Sequence, residues 1–416
     1  MTFKSSLLLL SSTVLLSLTG CVSHANLDTT TNALNSVTAQ WYIGDQGKRF
    51  DRIEYQFAQP LQPQTLAGLK LKLVGTFHDG QSAKEHNSPN RRVELPVTHI
   101  DWVGKSLVVD VQDFDTKGLL GIEVDSNLAQ LTTSHLVYKT HIRSVDDFVQ
   151  HQFVAKDGTT LSYWLYLPKD AQPAPLMVWE HGGGEVLASS YPRANLEANR
   201  GATAWVESGH PTAVLSVQFP ENYSFGIADI PDQFAQMQRY NTAQYELIQS
   251  LVNAKLIDTK RIYISGASSG GGAGLRFIMQ YPKLFAAAVI IAAKDTIVPL
   301  SDKYHLAYRF DAPISALRLA EEDYESSYQE MENALSDTNI TGVPIWFAQA
   351  QNDRICTPYT SIMMFDILQK QGAKANHHTL YSDQEMAASH VPLNHFSWVP
   401  TLNNPKIIEW VYQQHR

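Results

Sequence analysis

One stretch constrains the fold of this chain more than any other: Arg261 to Tyr281, RIYISGASSGGGAGLRFIMQY. An apolar, β-branched run enters it, and an apolar, helix-compatible run leaves it with Pro282 just beyond. Glycine- and serine-rich composition alone would suit a flexible linker. A solvated linker, however, is not bounded by apolar elements on both sides. The composition instead suits a tight strand-to-helix corner, where backbone approaches backbone. Gly266-Ala267-Ser268-Ser269-Gly270 fits G-x-S-x-G, in which small residues two before and two after the serine avoid a clash at the turn. The frame centred on Ser269 has Ala267 where the preceding glycine is required, so Ser268 is the corner residue. Its backbone is expected to be strained. Gly271, Gly272 and Gly274 are expected to let the helix lie close to the sheet.

The surroundings fit such a corner. From about Phe148, FVAKDGTTLSYWLYLP reads as a hairpin turning at Asp157-Gly158. The runs PLMVWE, TAVLSVQFP, RIYISG, FAAAVIIAA, VPIWFAQA and NHHTLYS read as strands, with helices between most of them, including one over roughly 231–256. Strands alternating with helices predict a parallel α/β sheet.

A serine hydroxyl needs a base, an orienting acid and oxyanion donors before it can act as a nucleophile. His181-Gly182-Gly183-Gly184-Glu185 follows an apolar strand directly. Its glycines suit backbone N–H groups aimed at an oxyanion, so Gly183 and Gly184 are candidate donors, with the Ser269 N–H at the helix start as the other. A phosphate cradle is the bland alternative, but the lysine and Ser/Thr of a P-loop are missing. In the order Ser, Asp, His, Asp353 falls just past the strand VPIWFAQA, and Asp295 in AAKDTIVP is an alternative acid. For the base, SHVPLNHFSWVP offers His395, which leads into the final helix, and His390. His377 and His378 fall on or beside the last strand and suit packing or surface roles.

Residues 37–145 have a different texture: short alternating runs such as RIEYQFA, LKLKLVGTF and SLVVDV, separated by turn clusters such as HDGQS. That pattern predicts an antiparallel β-sandwich. Net charge is −9 without a Lys/Arg block, so a nucleic-acid footprint is missing. At the N-terminus, Lys4 and LLLLSSTVLLSL have the form of an export signal over residues 1–20, too short to span a bilayer stably. Residues 21–36 are small and polar, suiting a tether. There are two cysteines, Cys21 and Cys356.

Two resemblances follow. Leu18-Thr19-Gly20-Cys21 resembles the lipobox of bacterial lipoproteins, which implies cleavage before Cys21, its lipidation, and a membrane-anchored place in the cell envelope. HGGGE, DTKRIYISGASSGG, YPKLFAAAVIIAA, VPIWFAQAQND and NHFSWVPTLNNPKIIEWVYQQ resemble, in order, blocks of the α/β-hydrolase family of exported esterases and predicted peptidases, of the polyhydroxybutyrate-depolymerase and feruloyl-esterase kind. That resemblance implies an α/β-hydrolase domain over 146–416 and an Ig-like sandwich over 37–145. It also implies Ser268, Asp353 and His395 as a catalytic triad, and no metal or organic cofactor. The expected activity is a carboxylesterase acting on a small-molecule or polymer ester. A peptidase of the same fold and a non-catalytic surface-binding lipoprotein are the alternatives. Two departures stand out: Ser269 occupies a position where the family often has Met, and residues 297–342 form a long acidic insert, either a lid or a solvated helical excursion.

Overall fold

The computed structural model describes residues 32–78, 91–116, 119–132, 138–188, 190–221, 233–304, 313–373 and 375–416. The expected signal peptide and Cys21 lie outside these residues. The described residues divide into two compact units, one within 32–42 and 48–143, the other within 43–47 and 144–416. Among the described residues, no helix is long and apolar enough to cross a membrane.

The first unit holds β1 Leu34–Gly44, β2 Gly47–Phe57, β3 Leu71–Phe77 and β4 Arg91–Leu95, then β5 Val97–Val103, β6 Ser106–Asp115, β7 Leu119–Ser126 and β8 Tyr138–Ile142. They form a five-stranded sheet, β5-β6-β2-β1-β8, and a three-stranded sheet, β4-β3-β7. Alternation along β1 buries Val37, Ala39, Trp41 and Ile43 on one face, as a half-buried strand requires. The ring of Phe114 in β6 lies 5.8 Å from Phe50 and 5.9 Å from Phe77, so aromatic contacts join the two sheets. One feature departs from the expected antiparallel arrangement: β1 and β8 pair in parallel. These are the unit's first and last strands, and a long connection, unlike a hairpin, permits either direction. β1 also begins at Leu34, inside the stretch expected to be tether.

The second unit is built on eight strands: β9 Val149–Val154, β10 Thr160–Tyr166, β11 Ala174–Glu180, β12 Ala213–Val217, β13 Ile257–Ala267, β14 Ala287–Ile291, β15 Ile345–Ala350 and β16 His377–Tyr381. Their order is β16-β15-β14-β13-β11-β12-β10-β9. β11 to β16 run parallel, and β10 runs against both of its neighbours at one edge. Gly158 in the β9–β10 turn has φ +87°, the left-handed backbone for which Asp-Gly is suited. Every residue of β11, β12 and β14 is buried, because helices cover both faces of the sheet. The 233–253 helix supplies one such cover, burying Met237, Tyr240, Ala243, Leu247, Ile248 and Leu251 at helical spacing.

The topology selects where a site can form. The chain passes from β11 to β12 on one side, then returns to place β13 on the other side of β11. Connections therefore diverge between β11 and β13, opening a crevice at their carboxyl ends, the usual ligand position in such sheets. The segments after β11, β13, β15 and β16 carry His181–Glu185, Ser268, Asp353 and His395.

The insert is more than a solvated excursion. Its 321–336 helix buries Ser327, Met331 and Leu335. Tyr328 Oη donates to Asp366 Oδ2 at 2.6 Å on the 359–370 helix, and Tyr324 packs edge-on against Tyr359. Ser301, Tyr304 and Leu317 border a small cavity together with Asp353 and Arg354, so parts of the insert reach the acid loop.

Candidate active site

Ser268 sits between the end of β13 and the 269–280 helix with φ 57° and ψ −121°, a backbone state that few non-glycine residues adopt. Packing holds it there. Its N–H donates to Ile291 O at 3.0 Å, and its carbonyl accepts from Gly272 N at 3.1 Å and Lys294 N at 3.0 Å. The flanking glycines are steric requirements. A Cβ on Gly270 would lie 2.0 Å from Glu180 O, and one on Gly266 would lie 2.4 Å from Gly270 O. Gly271 and Gly272 are similarly confined by Ile291 O and by Thr296, whereas Gly274 meets Ile290 only at 3.3 Å. The helix ends at Gln280; Tyr281 leaves the helical region, which Pro282 behind it disfavours, at φ −132° and ψ 61°.

The partners converge on the hydroxyl. His395 Nε2 is 3.0 Å from Ser268 Oγ, and His395 Nδ1 is 2.8 Å from Asp353 Oδ2. His395 and Asp353 are both buried. Asp353 is held by three further donors: Ile355 N at 2.8 Å and Cys356 N at 3.0 Å to Oδ1, and Gln349 Nε2 at 2.9 Å to Oδ2. With Nδ1–H donating to the carboxylate, Nε2 is left as acceptor for the serine proton, the tautomer that a general base needs. The alternatives stand elsewhere. Asp295 is buried and accepts from Ser301 N and Oγ, both at 2.8 Å. His390 is exposed with φ 53°. His377 stacks on Trp346, and His378 Nε2 lies 3.2 Å from Ser361 Oγ.

Across the crevice, Gly183, Gly184 and Glu185 form one 3₁₀ turn. Ser269 is the first residue of its helix, so its N–H has no intrahelical acceptor and belongs to the positive end of the helix dipole. A Cβ on Gly184 would meet nothing within 4 Å, so crowding does not explain that glycine. Gly182 faces the serine: its Cβ position lies 4.0 Å from Ser268 Cβ and 3.5 Å from Glu185 Oε1.

Two titratable groups of this loop carry signals that spacing could not disclose. His181 is fully buried, and desolvation lowers it from 6.5 to about 4, so it is neutral at pH 7. Phe219 N donates to its Nε2 at 3.2 Å, so Nδ1 carries the proton and donates to Gly182 O at 2.8 Å. Glu185 is pushed up from 4.5 to about 8 by burial, against the opposing hydrogen bonds from Gly182 N–H and Asn199. Asn199 Nδ2 donates to its Oε1 at 2.9 Å, and Oε2 is buried with no hydrogen-bond partner among the described residues. Cys356 is likewise close to Ser268: its buried Sγ lies 3.9 Å from Ser268 Oγ, and desolvation and Asp353 raise its pKa.

Residues 236–390 match the prolyl oligopeptidase family (Peptidase_S9), a span that includes Ser268 and Asp353 and stops short of His395. The solved structure of a thermostable esterase is similar over 92% of this chain and 100% of its own, with 20% identity and a TM-score of 0.63. A fluorophosphonate-binding serine hydrolase of Staphylococcus aureus matches 64% of this chain and 97% of its own, at 14% identity and a TM-score of 0.40. The S-formylglutathione hydrolase of the same organism matches 64% and 95%, at 14% identity and 0.39. No curated protein sequence matches the chain. The second unit has the α/β-hydrolase fold.

Proposed function

We propose that this chain is a serine hydrolase, and within that class a carboxylesterase. One observation carries the reading: the unbroken series Ser268 Oγ, His395 Nε2, His395 Nδ1, Asp353 Oδ2, with separations of 3.0 and 2.8 Å at its two contacts. In this mechanism Ser268 attacks the ester carbonyl while His395 takes its proton, and Asp353 holds the imidazole in the required tautomer. N–H groups of Ser269 and of the Gly183–Gly184 turn receive the oxyanion; removing one such donor typically costs roughly 10²–10³ in kcat. The alcohol leaves with the proton from His395, and water then cleaves the acyl-enzyme by the same route in reverse.

The match of 236–390 to the prolyl oligopeptidase family favours a second reading, a peptidase using the same triad. Rates on acyl esters and on short peptides separate the two. A fluorophosphonate probe tests both against a non-catalytic surface protein: wild type is labelled and Ser268→Ala is not. Equal labelling of both, or none of the wild type, would refute the enzyme reading.

Export and lipidation at Cys21 belong to the same proposal, with the protein held on a membrane of the bacterial cell envelope and the first unit acting as an Ig-like spacer domain. Cys21→Ala would then move the protein from the membrane to the soluble fraction. Retention of the variant on membranes would refute the anchor.

A further inference from the structure

A cleft of about 290 Å³ adjoins His395, walled by residues from 352–355, 383–387 and 391–395. His395 borders it and Ser268 does not, which sets the cleft on the histidine side of the site. In acylation a bond forms from Ser268 Oγ to the acyl carbon, the bond from that carbon to the alcohol oxygen breaks, and His395 Nε2 delivers its proton to that oxygen. The departing oxygen must therefore come within hydrogen-bond reach of His395. The oxyanion turn at 183–185 lies on a different loop, after β11, and contributes nothing to the wall.

We propose that this cleft is the leaving-group subsite, and that it takes an uncharged, largely apolar alcohol or phenol of about ring size. The inference rests on the esterase reading above. Ile355, Met386, Ala387, Val391, Pro392 and Leu393 give the wall its apolar character. Three of its polar groups are tied to one another: Asp383 accepts from Asn352 Nδ2 at 2.9 Å and from Asn394 Nδ2 at 2.6 Å. Arg354 and Asp383 give the lining one charge of each sign, so a charged alcohol gains no net attraction. Size sets the other bound. At ~30 Å³ per water, the cleft holds the volume of roughly ten waters, enough for a ring-sized group but small for a whole drug-sized ligand.

The wall is also built to keep its shape. Ser382 caps the 383–388 helix, its Oγ accepting from Glu385 N, while the Glu385 carboxylate accepts from Ser382 N at 2.8 Å. That capping box fixes the helix that carries Asp383, Met386 and Ala387.

The test uses the full chain and exploits the order of events. Once the acyl-enzyme has formed the alcohol is gone, so deacylation of a given acyl group cannot depend on a leaving-group subsite. Ala387→Trp and Leu393→Trp fill the cleft from exposed positions. Expected for both is a loss of at least tenfold in kcat/KM for benzyl acetate relative to methyl acetate. Single-turnover deacylation of the acetyl-enzyme should stay unchanged. Tenfold is the low end for filling or emptying part of an apolar pocket. An equal loss on both acetates, altered preference along a series of methyl esters with growing acyl chains, or a changed deacylation rate would overturn the assignment while leaving the esterase reading intact. Failure of the wild type to form any acyl-enzyme would overturn both.

Discussion

Glu185 offers the sharpest test of the loop beside the nucleophile. Its carboxyl and Ser268 both border the space over Gly182, where an added Cβ would lie 3.5 Å from Glu185 Oε1 and 4.0 Å from Ser268 Cβ. Raised from 4.5 to about 8, it keeps its proton in the folded state while the unfolded chain gives its proton up. Its contribution to stability is then fully present below pH 4.5 and is lost as pH rises to about 8, at about 1.4 kcal/mol per unit. His181 has the opposite sign. Lowered from 6.5 to about 4, it stays neutral in the fold while the unfolded imidazole takes up a proton, so stability is lost as pH falls below 6.5. The two slopes nearly cancel between pH 4.5 and 6.5, and from 6.5 to 8 Glu185 acts alone, removing roughly 2 kcal/mol.

Glu185→Gln removes one of these titrations and keeps the shape of the neutral acid. Its expected signature is a difference curve. Relative to wild type, the variant gains stability with rising pH at about 1.4 kcal/mol per unit from pH 4.5 to 8, of which roughly 2 kcal/mol falls between pH 6.5 and 8. Below pH 6.5 it destabilises with falling pH, because the His181 slope is no longer offset. Urea unfolding at half-unit steps from pH 5 to 9, followed by an active-site label that reports the second unit, measures it. Ionised Glu185 would also oppose the developing oxyanion, so the ratio of kcat at pH 9 to kcat at pH 7 should be higher in the variant. A stability difference that does not change with pH would refute a buried, protonated Glu185.

The remaining expectations are simpler. Ser268→Ala should lose roughly 10⁴–10⁶ in ester hydrolysis with its circular dichroism unchanged, since the triad acts as a unit. Asp353→Asn should cost about 10⁴ in kcat by disturbing the imidazole tautomer, whereas Asp295→Asn, whose carboxylate serves Ser301, should cost under about tenfold. Comparing the two in one ester assay decides which acid is used. Gly270→Ala places a carbon 2.0 Å from Glu180 O, so the backbone must shift; a loss of roughly 2–3 kcal/mol, a Tm lower by about 5–10 °C in a scanning fluorimeter, is expected.

Local features were legible in the sequence because their causes are local. The corner at 266–270 announces itself because a steric rule acts over five consecutive residues, and the hairpin at Asp157-Gly158 because its turn needs a positive φ. Choices among equivalent side chains were harder. His390 and His395 lie five positions apart in one loop, and the choice of His395 rests on its place before the final helix and on the resemblance of its block, not on a steric rule. Tertiary packing decides it, turning His390 outward at φ 53° and bringing His395 to 3.0 Å from Ser268.

Illegible were the properties that arise only when distant segments meet. Glu185 reads as an ordinary carboxylate until Asn199 and the Gly182 N–H close around its carboxyl group. Cys356 reads as a spare thiol, yet it stands beside Ser268 because the turn after β15 wraps Asp353 with the N–H groups of Ile355 and Cys356. The parallel pairing of β1 with β8 depends on residues about a hundred positions apart. The apolar cleft has the same origin. Ile355, Met386 and Leu393 come from three loops with no shared periodicity, brought together because β15 and β16 end side by side. In this fold motif residues can supply the reacting atoms, while selectivity comes from loops whose sequences carry no regular pattern. Substitutions in the 383–393 segment should therefore change which alcohol is released before they change whether an ester is cleaved.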